Sequence, residues 1–172
     1  MLKQQTTPDT HVIIGIDPDV EKSGVAMVEK ETRHLECAAL TFPQTLDYLR
    51  WLSQQQDKVE SVRVIIEAGW LNKSNWHLHN KAVTKYKAAA IGVSQGRNEE
   101  ISHLLGQMCD AYGLDYLFIK PLRKCWSGKD RKITAEELHA ITGLMGRTNQ
   151  EQRDAALIAW LYADLPIRTK RT

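Results

Sequence analysis

Four acidic residues stand where they could act together on one reaction centre. Asp17 directly follows the apolar run VIIGI, and Glu67 directly follows the apolar run VII. Glu151 and Asp154 are three positions apart, a spacing that places both on one face of a helix. If these segments are neighbours, four carboxylates converge and repel one another, so they need a counter-charge. Hard cations take oxygen ligands, and we therefore predict two Mg²⁺ or Mn²⁺ ions here.

The chemistry expected of such a site is metal-dependent hydrolysis. Two ions about 3.5–4 Å apart can stabilise both the attacking and the leaving oxygen when a phosphodiester is displaced. Each acid also has an ordinary structural explanation. Asp17 and Pro18 together suit the start of a turn, and Glu151 suits the first turn of a helix, where the helix dipole favours an acid. Convergence of the four is therefore a hypothesis about tertiary structure.

The elements expected to position these acids form one α/β sheet. Short apolar runs rich in β-branched residues predict five strands. They lie near residues 11–17, 25–29, 34–41, 61–67 and 114–119. The first three read as an antiparallel meander. The strands that end in Asp17 and Glu67 could be parallel neighbours joined by a crossover.

Helices are predicted between and after the strands, from periodicity and from capping residues. They begin at Pro43, cover part of 80–93, run from about 98 to 112 with Gly113 as C-cap, and begin again at Thr134 and at Asn149. Strands and helices in this order predict a mixed five-stranded sheet flanked by helices.

Length and composition indicate one ordinary globular domain. The chain has 172 residues, of which 42% are hydrophobic and 26% charged. We expect a flexible arm at 1–10, a single domain at 11–165 and a basic tail at 166–172. The sequence contains no run of about 18 apolar residues, so no membrane-spanning helix is predicted. The cysteines are three, far apart and without a C-x-x-C pair, so we expect reduced thiols packed in the interior of a cytoplasmic protein.

Two segments are basic and contain tryptophan, although the net charge is only +2. Segment 72–87 carries four lysines and no acid, and segment 120–132 carries six basic residues against one aspartate. Basic residues interleaved with aromatic ones suit phosphate neutralisation and base stacking, whereas the common alternative is a solvated surface. From these segments we predict nucleic-acid contacts by Lys73, Arg123, Lys124, Trp126, Lys129 and Lys132.

The three acidic motifs, in this order, resemble the RuvC-like Holliday junction resolvases of the RNase H-like superfamily. The resemblance rests on IIGIDPDVEKSGVAMVE, VIIEAGW and NQEQRDAALIAW, and it covers nearly the whole chain after the first ten residues. It implies an RNase H-like fold in which Asp17, Glu67 and Asp154 are catalytic metal ligands with Glu151 as their companion. It also implies a crossover junction endodeoxyribonuclease, an enzyme that cuts branched DNA at four-way junctions.

The resemblance implies further roles. Trp70 stands where the family has an aromatic residue that wedges into the junction, although it could also be a partly buried anchor. Lysines after the fifth strand would approach the scissile phosphate, and Lys124, Lys129 and Lys132 are all candidates. A junction has two-fold symmetry, so a homodimer is expected, with the helix at 99–112 as its candidate interface.

The sequence departs from the family pattern at two positions and leaves other functions open. Asp19 stands where the family usually has Gly, and Glu151 where it more often has Asp or His.

A YqgF-like nuclease that acts on RNA, or a non-catalytic nucleic-acid-binding scaffold of the same fold, is the alternative. An actin-like or sugar-kinase ATPase has a similar first phosphate loop, but 172 residues cannot hold the two domains it needs.

Overall fold

The computed structural model describes residues 11–55, 61–72 and 85–167. The strands are β1 Val12–Asp17, β2 Ser23–Glu29, β3 His34–Leu40, β4 Val62–Glu67 and β5 Asp115–Ile119. The helices are α1 Phe42–Gln54, α2 Lys85–Tyr112, α3 Ala135–Thr142 and α4 Gln150–Tyr162, with 3₁₀ turns at Gly69–Leu71 and Lys129–Arg131. The predicted arm at 1–10 and residues 168–172 of the predicted tail lie outside the described residues.

The five strands form one mixed sheet in the order β3-β2-β1-β4-β5. Strands β1, β2 and β3 are an antiparallel meander, whereas β1, β4 and β5 run parallel. Ile16 of β1 is in register with Ile66 of β4. Asp17 and Glu67 are the next residues and the last of their strands. Both acids therefore lie at the carboxyl ends of two neighbouring parallel strands. These strand directions and this order are those of the RNase H-like fold, which confirms the predicted fold class.

Both faces of the central strands are covered, and the alternation of side chains decides which face the acids take. Ile13 and Ile65 pack in the core beneath α4. Ile14 packs on the opposite face, in the core shared with α1 and α2. Because alternate residues of a strand share a face, Asp17 and Glu67 lie on the α4 side of the sheet.

Helix α4 packs unusually close to the sheet because small residues meet there. Gly15 and Gly24 present no side chain to the helix: Gly15 meets Ala155 and Ala159, and Gly24 meets the backbone of Glu151 and Gln152. A methyl group added at Gly15 would lie 2.7 Å from the backbone nitrogen of Ala159, far inside normal contact. This close approach brings the first turn of α4, with Glu151 and Asp154, over the carboxyl ends of β1 and β4.

The helix ends follow the sequence signals, while one helix prediction is wrong. Thr134 and Asn149 cap the starts of α3 and α4, as predicted, and the capping box expected at Thr134 also occurs at Asn149, with Gln152. Gly113 follows α2 with a φ of 68°, the left-handed conformation of a C-cap. The two helices predicted over 80–93 and 98–112 are one continuous helix, α2, which includes Gly92 and Gly96. Glycine costs only about 1 kcal/mol within a helix, which is too little to break one that lacks proline.

Two further expectations from the sequence can be compared with the described residues. Cys109 is buried, but Cys37 is only partly buried and Cys125 is exposed, so the expectation that all three cysteines pack in the interior is wrong. Cys125 lies in the basic segment 120–132, a loop after β5, and its side chain is exposed to solvent. No helix within the described ranges is long and apolar enough to cross a membrane.

Candidate active site

The four acids line one cavity at the edge of the sheet. Asp17 ends β1, Glu67 ends β4, and Glu151 and Asp154 come from the first turns of α4. The cavity has a volume of about 1240 Å³, and all four side chains are partly buried. Three separate segments of the chain therefore contribute oxygen donors to a single site.

The electrostatics of Asp17 show how close these acids are. Burial raises the pKa of Asp17 well above its ordinary value, and the negative charges of Glu67 and Asp154 raise it further. Lys132 acts in the opposite direction, and Glu151 adds a weaker repulsion. Even with Lys132 present, the ionised form of Asp17 is therefore unfavourable in the protein unless a further positive charge joins the cluster.

Glu67 behaves in the same way but has more compensation. Burial and the charge of Asp154 raise the pKa of Glu67. A hydrogen bond with the backbone of Leu122 and the positive charges of Lys132 and Lys124 partly oppose this rise. The basic loop after β5 thus contributes directly to the electrostatics of the acid cluster.

The two raised pKa values have a consequence for stability. An acid whose pKa is higher in the folded than in the unfolded chain binds more protons when the chain is folded. For Asp17 and Glu67, the metal-free protein therefore loses stability as the pH rises from the ordinary carboxyl range through the raised values. A bound cation would offset this loss, because it stabilises the ionised acids.

Lys132 is the basic residue inserted among the acids. Its Nζ lies 2.9 Å from Oδ2 of Asp154. Burial lowers the pKa of Lys132, but the hydrogen bond and the charge of Asp154 outweigh that effect, helped by Asp17 and Glu151, and the net pKa is raised. Of the three lysines considered as candidates after β5, Lys132 is the one that contacts an acid of the cluster.

The oxygen donors of the four acids are chemically suited to a hard divalent cation. Carboxylate oxygens are the ligands that Mg²⁺ and Mn²⁺ prefer, and all four acids can supply them. In the part of the chain that is described, however, no three His, Cys, Asp or Glu side chains are grouped tightly enough to form a metal-binding set. In this arrangement, Lys132 supplies positive charge to the cluster.

The aromatic residue at the cavity is packed rather than free. Trp70 lies in the 3₁₀ turn directly after β4. Its ring stacks on His103 of α2, with centroids 3.8 Å apart and planes 13° apart, and contacts Phe118 edge-on at 5.0 Å. Trp70 therefore forms part of the cavity wall, with a defined orientation imposed by its neighbours.

The other residues predicted to contact nucleic acid are distributed unevenly. Arg123, Lys124 and Trp126 line the same cavity as the acids. Lys129 is exposed in the turn Lys129–Arg131 and is not among the cavity residues. Lys73 lies outside the described residues. The basic loop after β5 is thus brought beside the acids, and of its five predicted contact residues, all but Lys129 line the cavity.

Helix α2 contributes a polar wall that the sequence analysis missed. Gln95, Asn98, Glu99 and Ser102 line the cavity from one face of this helix. The hydroxyl oxygen of Ser102 lies 3.1 Å from the carbonyl oxygen of Glu67 and 3.0 Å from that of Asn98, within hydrogen-bonding distance of both, so α2 meets the end of β4 at this residue. The spacing of these polar residues, three or four positions apart, is the signal that could have revealed them.

The departure at Asp19 has a structural explanation. Asp19 Oδ1 accepts a hydrogen bond from the backbone N–H of Glu21 at 2.8 Å, which closes the loop after β1. Asn98 of α2 donates to Asp19 Oδ2 at 3.4 Å and accepts from the backbone N–H of Val20 at 3.2 Å. Asp19 therefore joins the β1–β2 loop to α2, a link that glycine could not make.

Comparison with known proteins gives similarity in structure only. Neither a protein-family model nor a curated protein matches the sequence. The chain is similar to T. thermophilus RuvC in complex with a Holliday junction substrate, with a TM-score of 0.49 and 15% identity over 88% of this chain and 92% of that chain. It is also similar to Fowlpox virus resolvase with substrate Holliday junction DNA, with a TM-score of 0.48 and 10% identity over 89% of this chain and 97% of that chain.

Proposed function

We propose that this chain is a metal-dependent, structure-selective endonuclease that cuts branched DNA, as Holliday junction resolution requires. The observation that carries the proposal is the placement of four acids on one cavity, where burial and mutual repulsion raise the pKa of Asp17 and Glu67. An arrangement that disfavours its own charged form is unfavourable for folding alone. It is expected at a site where the acids serve a cation and a reaction.

Asp17, Glu67, Glu151 and Asp154 are the residues that would hold two Mg²⁺ or Mn²⁺ ions. When bound, two such ions supply a polarised water and charge stabilisation for the displacement at a phosphodiester. The acids would keep these charges at the ends of β1 and β4. Lys132 is placed to neutralise a phosphate oxygen beside them.

The walls of the cavity support a nucleic-acid substrate. Arg123 and Lys124 bring positive charge to one side, which suits a phosphate backbone. Trp70 and Trp126 offer flat aromatic surface, on which an unpaired or distorted base step can stack. Branched DNA combines both features, because it presents strained base steps beside closely spaced phosphates. A homodimer is part of the proposal, because two symmetric cuts need two sites.

The test is cleavage of a synthetic four-way junction beside a linear duplex and an RNA–DNA hybrid, each with Mg²⁺ and with EDTA. The wild type is compared with Asp17→Asn and with Asp47→Asn, a matched change at an exposed acid on α1. Paired cuts in the junction that need Mg²⁺, are lost in Asp17→Asn and persist in Asp47→Asn are the expected result. Cleavage of the hybrid alone would indicate an RNA-directed nuclease. Tight junction binding without cleavage would indicate a scaffold.

A further inference from the structure

Asp154 differs from a simply exposed acid because both of its carboxylate oxygens accept a hydrogen bond. Oδ2 accepts from Nζ of Lys132 at 2.9 Å. Oδ1 accepts from the side-chain amide Nε2 of Gln150, one turn earlier on α4, at 2.8 Å. The carboxylate plane is therefore held from two sides, while each oxygen keeps a further lone pair.

The side chain of Gln150 is itself oriented from behind. Its Oε1 accepts a hydrogen bond from Nη2 of Arg153 at 2.9 Å. A guanidinium can only donate, and an ionised carboxylate can only accept. Gln150 must therefore present its oxygen to Arg153 and its NH₂ group to Asp154, so the direction of the relay is determined by the two groups at its ends.

Arg153 is anchored to the segments that precede α3 and α4. Its Nε donates to the carbonyl oxygen of Ile133 at 3.1 Å, just before α3. Its Nη1 donates to the carbonyl oxygen of Thr148 at 2.6 Å, just before α4. Gln150 Nε2 also lies 3.4 Å from the carbonyl oxygen of Ile133. Arg153 and Gln150 are both partly buried, so these bonds are shielded from competing water.

A neutral amide is well suited to this position. If the guanidinium of Arg153 contacted Asp154 directly, its positive charge would compete with a cation for the carboxylate. Gln150 separates the two groups, so Oδ1 of Asp154 is oriented by a neutral amide. No ion pair with Arg153 neutralises the carboxylate at this oxygen. Partners of this kind, which orient a metal ligand without touching the metal, commonly alter metal affinity by about 10–100-fold.

We propose that Gln150, supported by Arg153, is a positioning residue that holds the carboxylate of Asp154 in the orientation needed to bind a divalent cation. The inference rests on the proposed function in one respect, since it takes Asp154 to be a metal ligand. It goes beyond that function in assigning the alignment of Asp154 to two residues that carry no metal and touch no reacting atom.

The experiment is calorimetric titration of the metal-free protein with Mn²⁺, without DNA. Gln150→Met keeps the length of the side chain but removes its hydrogen bonds, and it should weaken Mn²⁺ binding by about 10–100-fold. Gln54→Met, a matched change at an exposed position at the end of α1, should leave the affinity unchanged. The unfolding temperature of each variant, measured in EDTA, separates loss of alignment from loss of folding.

A double-mutant cycle tests the relay itself. Arg153→Met alone should weaken Mn²⁺ binding, and it should also lower the unfolding temperature, because the bonds to Ile133 and Thr148 are lost as well. Added to Gln150→Met, it should weaken binding no further, because it acts through Gln150. Arg153→Lys, which keeps a donor for Gln150 Oε1, should lie closer to the wild type than Arg153→Met.

The outcomes separate this inference from the proposed function, because junction cleavage is measured on the same proteins. Mn²⁺ affinity of Gln150→Met within about twofold of the wild type would overturn the inference, even if the wild type cuts junctions. Gln150-dependent Mn²⁺ binding by a wild type that cuts no nucleic acid would refute the endonuclease and support the relay. A wild type that binds no divalent cation would refute both.

Discussion

Gly24 provides a direct test of how helix α4 is positioned over the sheet. In the β1–β2 pair, Gly24 stands opposite Asp17. A methyl group at Gly24 would fall on the backbone carbonyl of Glu151 and lie 3.0 Å from the backbone nitrogen of Gln152. Gly24 does not have a positive φ, so alanine adds no backbone strain of its own. The change Gly24→Ala therefore acts only by pushing the first turn of α4 away from β2.

The size of the effect follows from this geometry. The added methyl can reach ordinary contact with the Glu151 carbonyl oxygen only if the first turn of α4 withdraws by about 1.5 Å, because backbone rather than a flexible side chain blocks it. Overpacking of this kind lowers stability by about 1–3 kcal/mol. A misplacement of about 1 Å at a reaction centre can reduce the rate about 100-fold. Since Glu151 is carried on this turn, we expect Gly24→Ala to lose both stability and cleavage.

The assay combines single-turnover cleavage of a four-way junction at saturating Mg²⁺ with denaturant unfolding in EDTA. Gly96→Ala is the matched control for stability, since a methyl group there meets nothing within 4 Å. That change replaces a helical glycine by alanine and should raise the free energy of unfolding by about 1 kcal/mol. The contrast between the two variants isolates steric contact from the general effect of the substitution.

Two results would refute the reasoning. If Gly24→Ala unfolds at the same denaturant concentration as the wild type, α4 does not rest on β2 at this point. If Gly24→Ala is destabilised but cuts junctions at the wild-type rate, the contact supports the fold without positioning Glu151. Junction binding should persist in the variant, because the basic loop follows β5, which is separated from β2 by two strands of the sheet.

Three further changes test the site. Asp17→Asn removes a buried acid with a raised pKa, so it should abolish cleavage yet stabilise the metal-free protein. In thermal melts in EDTA, its unfolding temperature should exceed that of the wild type by an amount that grows as the pH rises above the ordinary carboxyl pKa of about 4. Lys132→Met removes the ammonium beside Asp154 and should lower single-turnover cleavage by about 100-fold or more, with junction binding nearly unchanged by gel shift. Trp70→Ala removes two aromatic contacts and should lower the free energy of unfolding by about 1–3 kcal/mol in urea, whereas Trp70→Phe should lose less.

Each of these predictions has a contrary result. A melt of Asp17→Asn that differs from the wild type by the same amount at every pH would show that this acid is not disfavoured by burial. Wild-type cleavage by Lys132→Met would remove the lysine from the reaction. Unchanged stability of Trp70→Ala would mean that its stack on His103 contributes nothing to the fold.

Much of the scaffold could be read from local sequence. Runs of β-branched residues predict strands because such side chains suit a pleated, buried surface. The position of each acid at the end of its run, together with the alternation of side chains, places Asp17 and Glu67 on one edge and one face of the sheet. Capping residues at Thr134 and Asn149 predict where two helices begin, because they satisfy the free N–H groups of the first turn. All these signals act over a few residues.

Other features depend on contacts between distant segments, and only the tertiary structure decided them. The sequence offered three lysines after β5, and the structure places Lys132 on Asp154 because the loop folds back, with Gly128 N–H donating to the carbonyl oxygen of Lys132. Gln150 reaches Arg153 and Asp154 by ordinary helical spacing, but its support from behind depends on the bond of Arg153 to Ile133, which only the folding of the segment before α3 provides. Gly24 likewise reads as an ordinary strand glycine until α4 lies against it. Local patterns determine elements, whereas the packing of elements determines which side chains meet.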